Sequence, residues 1–435
     1  MPNIPLGAPS ETGVAPHRGA CSNKRALALL SSLFFMWGFV TVINNTLLPH
    51  LRSVFSLSYT QTTLTESVWF LAYLVASLPS AVLIERIGFR RAIVAGLCIM
   101  SSGALLMVAA AGLLSYLTTL VALFTIASGV TLLQVAANPY VAVVGPAERA
   151  SSRLNLVQAF NSAGTTLAPL FGGYLILGRS ASGTSSLATS LTAAQKHAEA
   201  QVVILPYMIV AITLALLAIV IACFHLPDIR RASQTFSTSR PNRLSLLRRR
   251  NLVFGAPAIF IYLIAEIGVS NLFINFVSQP NIGNISHQSA SQYLFLLWGL
   301  MMVGRFLGGF LMQRIEPRAV LAAAAFCAGM AMLGVTFAQG QAAMWALVSV
   351  GLFHSIMFPT IFTLGIAGLG ELTEEGSGLL VMAIAGGALV VVQGWLADHY
   401  GLQKSFLLTL GCELYVLFYA LWGAAPPRLA HPREA

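Results

Sequence analysis

SLPSAVLIERIGFRRAIVAGLCIM (residues 77–100) is two apolar runs joined by a short turn that gathers Glu85, Arg86, Arg90 and Arg91 around Gly88. Each run extends outward to about 20 apolar residues, enough for a helix to cross about 30 Å of hydrocarbon. Two such runs hinged on a tight charged turn read as a membrane hairpin. The turn recurs later in the chain, where FLMQRIEPRAV (residues 310–320) matches VLIERIGFRRA (residues 82–92). A second echo follows at nearly the same spacing: AANPYVAVVG (residues 136–145) resembles IMFPTIFTLG (residues 356–365) and aligns Pro139 with Pro359. Repeats of this kind mark a chain built from two similar halves, an arrangement that places a ligand site where the halves meet.

Composition agrees with the hairpin. Of the 435 residues, 57% are hydrophobic and 9% are charged, far from the roughly one quarter charged residues of soluble domains. Breaks in hydropathy, with Gly, Pro and charge as punctuation, give six spans, a basic Ser/Arg-rich linker and six further spans. The expected fold is an all-α integral membrane protein of twelve transmembrane helices in two pseudo-symmetric six-helix bundles. Its boundaries are a disordered cytoplasmic tail over residues 1–25, a first bundle over 26–226, a linker over 227–251, a second bundle over 252–424 and a cytoplasmic tail over 425–435. A Ser/Ala-rich loop over residues 178–204 is the one long outer connection.

The net charge of +10 suggests nucleic acid until the basic residues are placed. Arg18, Lys24 and Arg25, then Arg86, Arg90 and Arg91, then Arg149 and Arg153, then the linker, then Arg314, Arg318, Arg428 and Arg433 all fall on one side. Arg52, Arg179, Lys196 and Lys404 fall on the other. That asymmetry puts both termini in the cytoplasm, so the charge is topological and no nucleic-acid partner is expected. The five cysteines are odd in number, lack metal-ligand spacing and read as small packing residues.

Polar groups inside the spans carry the functional signal, because an ionisable residue there costs about 2.5–3.5 kcal/mol on insertion scales. Glu66, Glu266, Arg305, His354 and Glu413 are deep. Amides accompany them at helical spacing: Trp37, Thr41, Asn44 and Asn45 on the first span, Gln134 and Asn138 on the fourth, Gln158 and Asn161 on the fifth. Steps of three and four put each group on one helix face. Amides beside an aromatic ring suit a sugar, whose hydroxyls donate and accept while its C–H surface stacks. The competing role of such amides is to tie helices together, at around 0.6 kcal/mol each.

Glu66 shares a stripe with Thr62, Trp69 and Tyr73, which makes it a candidate proton site. Glu266 comes with Ser270, Asn271 and Asn275; Asn275 faces almost the opposite way unless the helix breaks at Gly268. For His354 and Glu413 no partner is visible in the sequence, and a core role is expected. Arg305, between Gly304 and Gly308, reads as a gating or interhelical pairing group. Glu85, Arg86, Arg90 and Arg91 form a charged loop able to latch one state. No convergent nucleophile, acid or metal cluster points to an enzyme, and no cofactor is expected.

The charged turn resembles that between the second and third helices of the major facilitator superfamily. FFMWGFVTVINNTLLPHL (residues 34–51), LLQVAANPYVAVVGP (132–146), SSRLNLVQAFNSAGTTLAPLFGGYLI (151–176) and PYMIVA (206–211) narrow the resemblance to the fucose–galactose–glucose:proton symporters, nearest to the glucose/galactose branch. The resemblance implies a bacterial inner-membrane importer of a neutral hexose, working by alternating access as a monomer. It implies sugar contacts from Asn44, Gln134, Asn138, Gln158, Asn161, Glu266 and Asn275, to which position adds Asn45 and Trp37. It also implies an aspartate where this chain has Asn45 and, in the fucose branch, an acid where it has Gln134. Neither amide titrates. Coupling then rests on Glu66 or Glu266, or the carrier is uncoupled, or it uses sodium. A non-transporting sugar sensor is the alternative from another class, and the short tails speak against it. Drug efflux would need a more apolar cavity.

Overall fold

The computed structural model describes residues 27–42, 59–144, 146–172, 201, 203–224, 243–285 and 287–424. The two tails, the outer Ser/Ala-rich loop up to residue 200 and the linker before Arg243 lie outside them. Twelve helices account for almost all of what is described: α1 (Leu27–Val42), α2 (Tyr59–Ile87), α3 (Phe89–Leu113), α4 (Tyr116–Val143), α5 (Ala150–Gly172) and α6 (Ile204–Cys223). The second six are α7 (Arg250–Val277), α8 (His287–Leu311), α9 (Pro317–Phe337), α10 (Gly340–Ile366), α11 (Gly370–Tyr400) and α12 (Leu402–Gly423).

Helices are the form this composition allows, since hydrocarbon offers no partner for a bare N–H or C=O and a helix satisfies both within one segment. Their outer faces are apolar: Leu71, Leu74, Val75 and Leu78 on α2, Ile212, Leu216 and Ile219 on α6, Phe326, Met330 and Phe337 on α9, and Leu407, Leu414 and Leu421 on α12 all point outward. A continuous apolar exterior of this extent belongs in lipid. Cys98 and Cys223 also lie on that exterior, and of the described cysteines only Cys412 is buried, so packing does not explain them all.

The two halves are assembled alike. In the first, α3 packs against α4 and α6; in the second, α9 packs against α10 and α12. Close approach of α3 and α4 depends on small residues: a methyl group on Gly129 would stand 2.7 Å from the Gly96 carbonyl and 2.8 Å from the Met100 nitrogen. The halves meet along two seams, α2 with α11 and α5 with α8, which exchange under the same two-fold relation.

Both sequence echoes have a structural counterpart. Arg90, after the first hairpin turn, donates to the Ala222 carbonyl at the end of α6. Its aligned equivalent Arg318 donates to the Ala420 and Leu421 carbonyls at the end of α12, at 3.2 and 2.9 Å. Each arginine thus satisfies the orphan carbonyls that terminate the last helix of its half. The aligned prolines act in the same way on the helix interior. Pro139 in α4 has no N–H for the Val135 carbonyl, and Ser377 on α11 supplies the missing donor at 3.0 Å. Pro359 in α10 releases the Ser355 carbonyl, which accepts from Arg305 Nε at 3.0 Å.

This capping role separates two neighbouring arginines that look equivalent in sequence. Arg90→Ala is expected to destabilise the detergent-purified protein by about 1–3 kcal/mol, because a charged hydrogen bond is lost and a carbonyl is stranded. Arg91→Ala, at an exposed position, should stay within about 0.5 kcal/mol. Parallel thermal-unfolding curves of the two variants check this.

Candidate functional site

Gln134 and Asn138 stand one turn apart on α4, and both are fully inside the protein. Gln134 Nε2 donates to the Tyr73 hydroxyl on α2 at 2.7 Å, which brings the Tyr73 stripe of α2 onto the amide face of α4. The rest of the pair's hydrogen-bonding capacity is unspent. Gln134 Oε1 and both side-chain polar atoms of Asn138 are buried without a protein partner, as is Gln158 Nε2 on α5. Buried polar groups are ordinarily paired, and leaving one unpaired costs about 1–3 kcal/mol. Four such atoms lie on two helices of one half, two of them donors and two acceptors, a set suited to a ligand whose groups both donate and accept.

Other predicted residues are placed less uniformly. Asn161 Nδ2 donates to the Phe34 carbonyl at 2.9 Å, so this nitrogen joins α5 to α1. Trp37 is buried, tilted against Phe34 with ring centroids 5.1 Å apart. Asn44 and Asn45 lie outside the described residues. Glu66 falls within α2, two turns before Tyr73, but its side chain also lies outside them. Of the charged loop, Arg86 and Arg91 are exposed, Glu85 is partly buried and Arg90 is committed to α6.

On the second half, Glu266 is half-buried one turn beyond Tyr262 on α7 and interacts with Tyr262 and Arg305. The expected break at Gly268 is absent: α7 is one uninterrupted helix from Arg250 to Val277. Gly268 serves packing instead, because its missing side chain makes room for the amide of Gln393 on α11. Asn275 is therefore on the opposite face from Glu266, and exposed. The departures from regular helix fall elsewhere. Turn geometry interrupts α10 at Ser355–Ile356, and a 3₁₀ segment, Ala383–Leu389, runs through the middle of α11. Gln393 is a residue that sequence reasoning missed. It is fully buried with both amide atoms unpartnered, and the available signal was a lone amide inside GALVVVQGWLAD (residues 387–398).

Arg305 joins the halves. Besides the Ser355 carbonyl it donates through Nη1 to Ser162 Oγ on α5 at 2.5 Å and to the Gln158 carbonyl at 3.3 Å. One guanidinium thus touches the backbone of an amide-face residue and the bend of α10, and lies within electrostatic reach of Glu266 on α7. Below it the α5 seam is closed by uncharged groups: Ser151 Oγ lies 2.6 Å from Thr363 Oγ1, Ser152 Oγ donates to the Gly309 carbonyl at 2.5 Å, and Asn155 Nδ2 donates to Thr360 Oγ1 at 3.2 Å. All three sit at the end of the bundle that carries Arg149, Arg314 and the other basic turns, hereafter the basic end. His354 and Glu413, for which the sequence showed no partner, face each other across α10 and α12 with Nε2 and Oε1 2.6 Å apart.

Known proteins share this arrangement over nearly the full chain. The profile of the Major Facilitator Superfamily matches residues 29–390. The glucose/galactose transporter of Brucella abortus (strain 9-941) is 44% identical over 400 residues, covering 92% of this chain and 94% of that protein. The L-fucose-proton symporter of Escherichia coli (strain K12) is 35% identical over 407 residues, covering 90% and 92%. Among solved structures, FucP, crystallised in the outward conformation, superimposes with a TM-score of 0.84 at 32% identity, covering 92% of this chain and 99% of its own. The fold, the paired halves and these relatives agree: the chain is a multi-pass membrane transporter that belongs to the Major Facilitator Superfamily and, within it, to the group of the glucose/galactose transporters and L-fucose–proton symporters.

Proposed function

We propose that this protein imports a neutral hexose, glucose or galactose ahead of L-fucose, across a bacterial inner membrane by alternating access, as a monomer with both termini in the cytoplasm. The observation that carries the reading is the unspent hydrogen-bonding set of Gln134, Asn138 and Gln158. A sugar hydroxyl both donates and accepts, so one ring can satisfy acceptors such as Gln134 Oε1 and donors such as Gln158 Nε2 together. The names of the relatives agree with that chemistry. Asn44, Asn45, Asn161 and Trp37 from the first half, and Glu266 and Gln393 from the second, complete the proposed lining, whereas Asn275, on the opposite face of the unbroken α7 from Glu266, does not join them. With the basic end inside, the Ser151–Thr363 and Ser152–Gly309 contacts close the cytoplasmic side, and the described state is the outward-facing one.

The proton is proposed as the coupling ion, carried by Glu66 or Glu266, because Asn45 and Gln134 have no titratable group. Uptake of labelled glucose, galactose and fucose into proteoliposomes under imposed pH or sodium gradients decides the point. Accumulation above equilibrium under an inward proton gradient supports the reading. Equilibration alone identifies a facilitator, a requirement for sodium reassigns the ion, and hexose binding without uptake identifies a sensor.

Two sets of variants follow from the site. Gln158→Ala and Asn138→Ala should each weaken sugar binding by at least about 1 kcal/mol, or roughly fivefold, read by titration calorimetry; wild-type affinity would return either residue to helix packing. Whichever of Glu66→Gln and Glu266→Gln removes the carrier should lose gradient-driven accumulation while retaining sugar exchange in counterflow. Undiminished accumulation removes that carboxylate from the coupling path.

A further inference from the structure

We infer that Tyr73 is a sugar-contacting residue: its hydroxyl, held by Gln134, joins Gln134 Oε1 in recognising one hydroxyl of the hexose and so sets specificity at that ring position. The inference rests on the transporter reading above, and adds to its site a residue from α2.

Tyr73 is buried on α2, and contacts on either side of it along that helix fix where its ring points. Phe70, one turn earlier, fills the hollow left by Gly387 in the 3₁₀ segment of α11, where a methyl group would collide with its ring. One and two turns later, the Ser77 carbonyl and the Ala81 side chain lie against Gly378 of α11, 3.4 and 3.0 Å from where its Cβ would stand. With α2 registered on α11 at both ends, the Tyr73 hydroxyl reaches α4 and lies 2.7 Å from Gln134 Nε2.

The hydroxyl accepts that bond, so its own proton remains to be placed. Tyr262 and Tyr419, also buried, spend theirs on the backbone carbonyls of His354 and Asn251, at 2.9 and 3.1 Å. A phenol that served only to join two helices would do the same. Among the described residues, Tyr73 has Gln134 as its one hydrogen-bond partner. Beside it, Gln134 Oε1 is an acceptor without a partner.

The oxygen and nitrogen of one amide are about 2.3 Å apart, so the phenol oxygen and Oε1 are separated by no more than about 5 Å. A single sugar hydroxyl, forming hydrogen bonds of about 2.8 Å, spans that distance. Its oxygen takes the Tyr73 proton, and its own proton goes to Oε1. Asn138, one turn along α4 and unpartnered at both atoms, is left for a neighbouring hydroxyl. A site that sets a donor and an acceptor on one hydroxyl leaves both stranded when that hydroxyl is missing, so it rejects a deoxy sugar more strongly than apolar contact would.

The test is titration calorimetry of the full-length protein in detergent, with the hexose that wild type binds and with each monodeoxy analogue of that hexose. Tyr73→Phe, which keeps the ring and its packing, should bind the parent hexose at least about fivefold more weakly than wild type does. For one analogue, that lacking the recognised hydroxyl, the two proteins should agree within about twofold. Gln134→Met should agree with wild type at the same analogue. Uniform weakening across the series is the mark of a packing role and overturns the inference; so does wild-type affinity of Tyr73→Phe for the parent, or agreement at a different ring position for each variant. Where a single variant misfolds, the double variant Tyr73→Phe/Gln134→Met, which strands neither partner, should still agree with wild type at one analogue, and uniform weakening overturns the inference there too. If wild type binds no hexose, the transporter reading fails and the inference with it; hexose binding with uniform weakening fails the inference alone.

Discussion

A backbone carbonyl without a donor has nowhere to turn in hydrocarbon, and this protein creates two such carbonyls at matched places. Pro139 and Pro359 withhold the N–H groups that Val135 and Ser355 would use. Water cannot repair the loss at that depth. The repair comes from neighbouring helices: Ser377 crosses from the second half to Val135, and Arg305 reaches Ser355. Two prolines thereby require that α4 pack against α11 and that α8 pack against α10. Because the Ser377 bond and the further reach of Arg305 both cross between halves, the repair of the defect adds to the seam contacts that tie the halves in the described state.

The two halves differ in how they spend their polarity. The first keeps uncharged amides whose capacity is only partly used: Gln134 bonds Tyr73, Asn161 bonds the α1 backbone, and Asn138 bonds nothing. The second concentrates its ionisable groups, with Arg305, Glu266, Tyr262, His354 and Glu413 in mutual reach across four helices. An amide face holds a neutral ligand without a large desolvation cost, whereas clustered charges are stable in a low dielectric only when paired. Among the described side chains the unspent amides of Gln134, Asn138 and Gln158 and the ionisable cluster thus lie in different halves, and Arg305 connects them.

Much of the remaining architecture is support for that meeting point. The α3–α4 approach at Gly96 and Gly129, the room for Gln393 beside Gly268, and the arginine caps on α6 and α12 each remove a clash or an orphaned group that would loosen a bundle. The α5 seam at the basic end uses hydroxyls, an amide and a carbonyl in place of full charges. Contacts of that type break and re-form at modest cost.

The sequence by itself determined the features that depend on one helix at a time. Run length and charge placement yielded the spans, the repeat yielded the paired halves, and steps of three and four put Gln134 with Asn138 and Gln158 with Asn161, because helical periodicity is a property of a single segment. It also singled out His354 and Glu413 as deep, yet found neither a partner. Only the tertiary structure decided the contacts between segments: Tyr73 on Gln134, Gln393 in the space left by Gly268, and the imidazole on the carboxylate. The continuity of α7 was decided there too. A glycine breaks a helix only when nothing packs against it to hold the turn, and here α11 does. Which side chains meet across helices depends on the rotation and depth of each helix in the bundle, and no spacing within one segment encodes that.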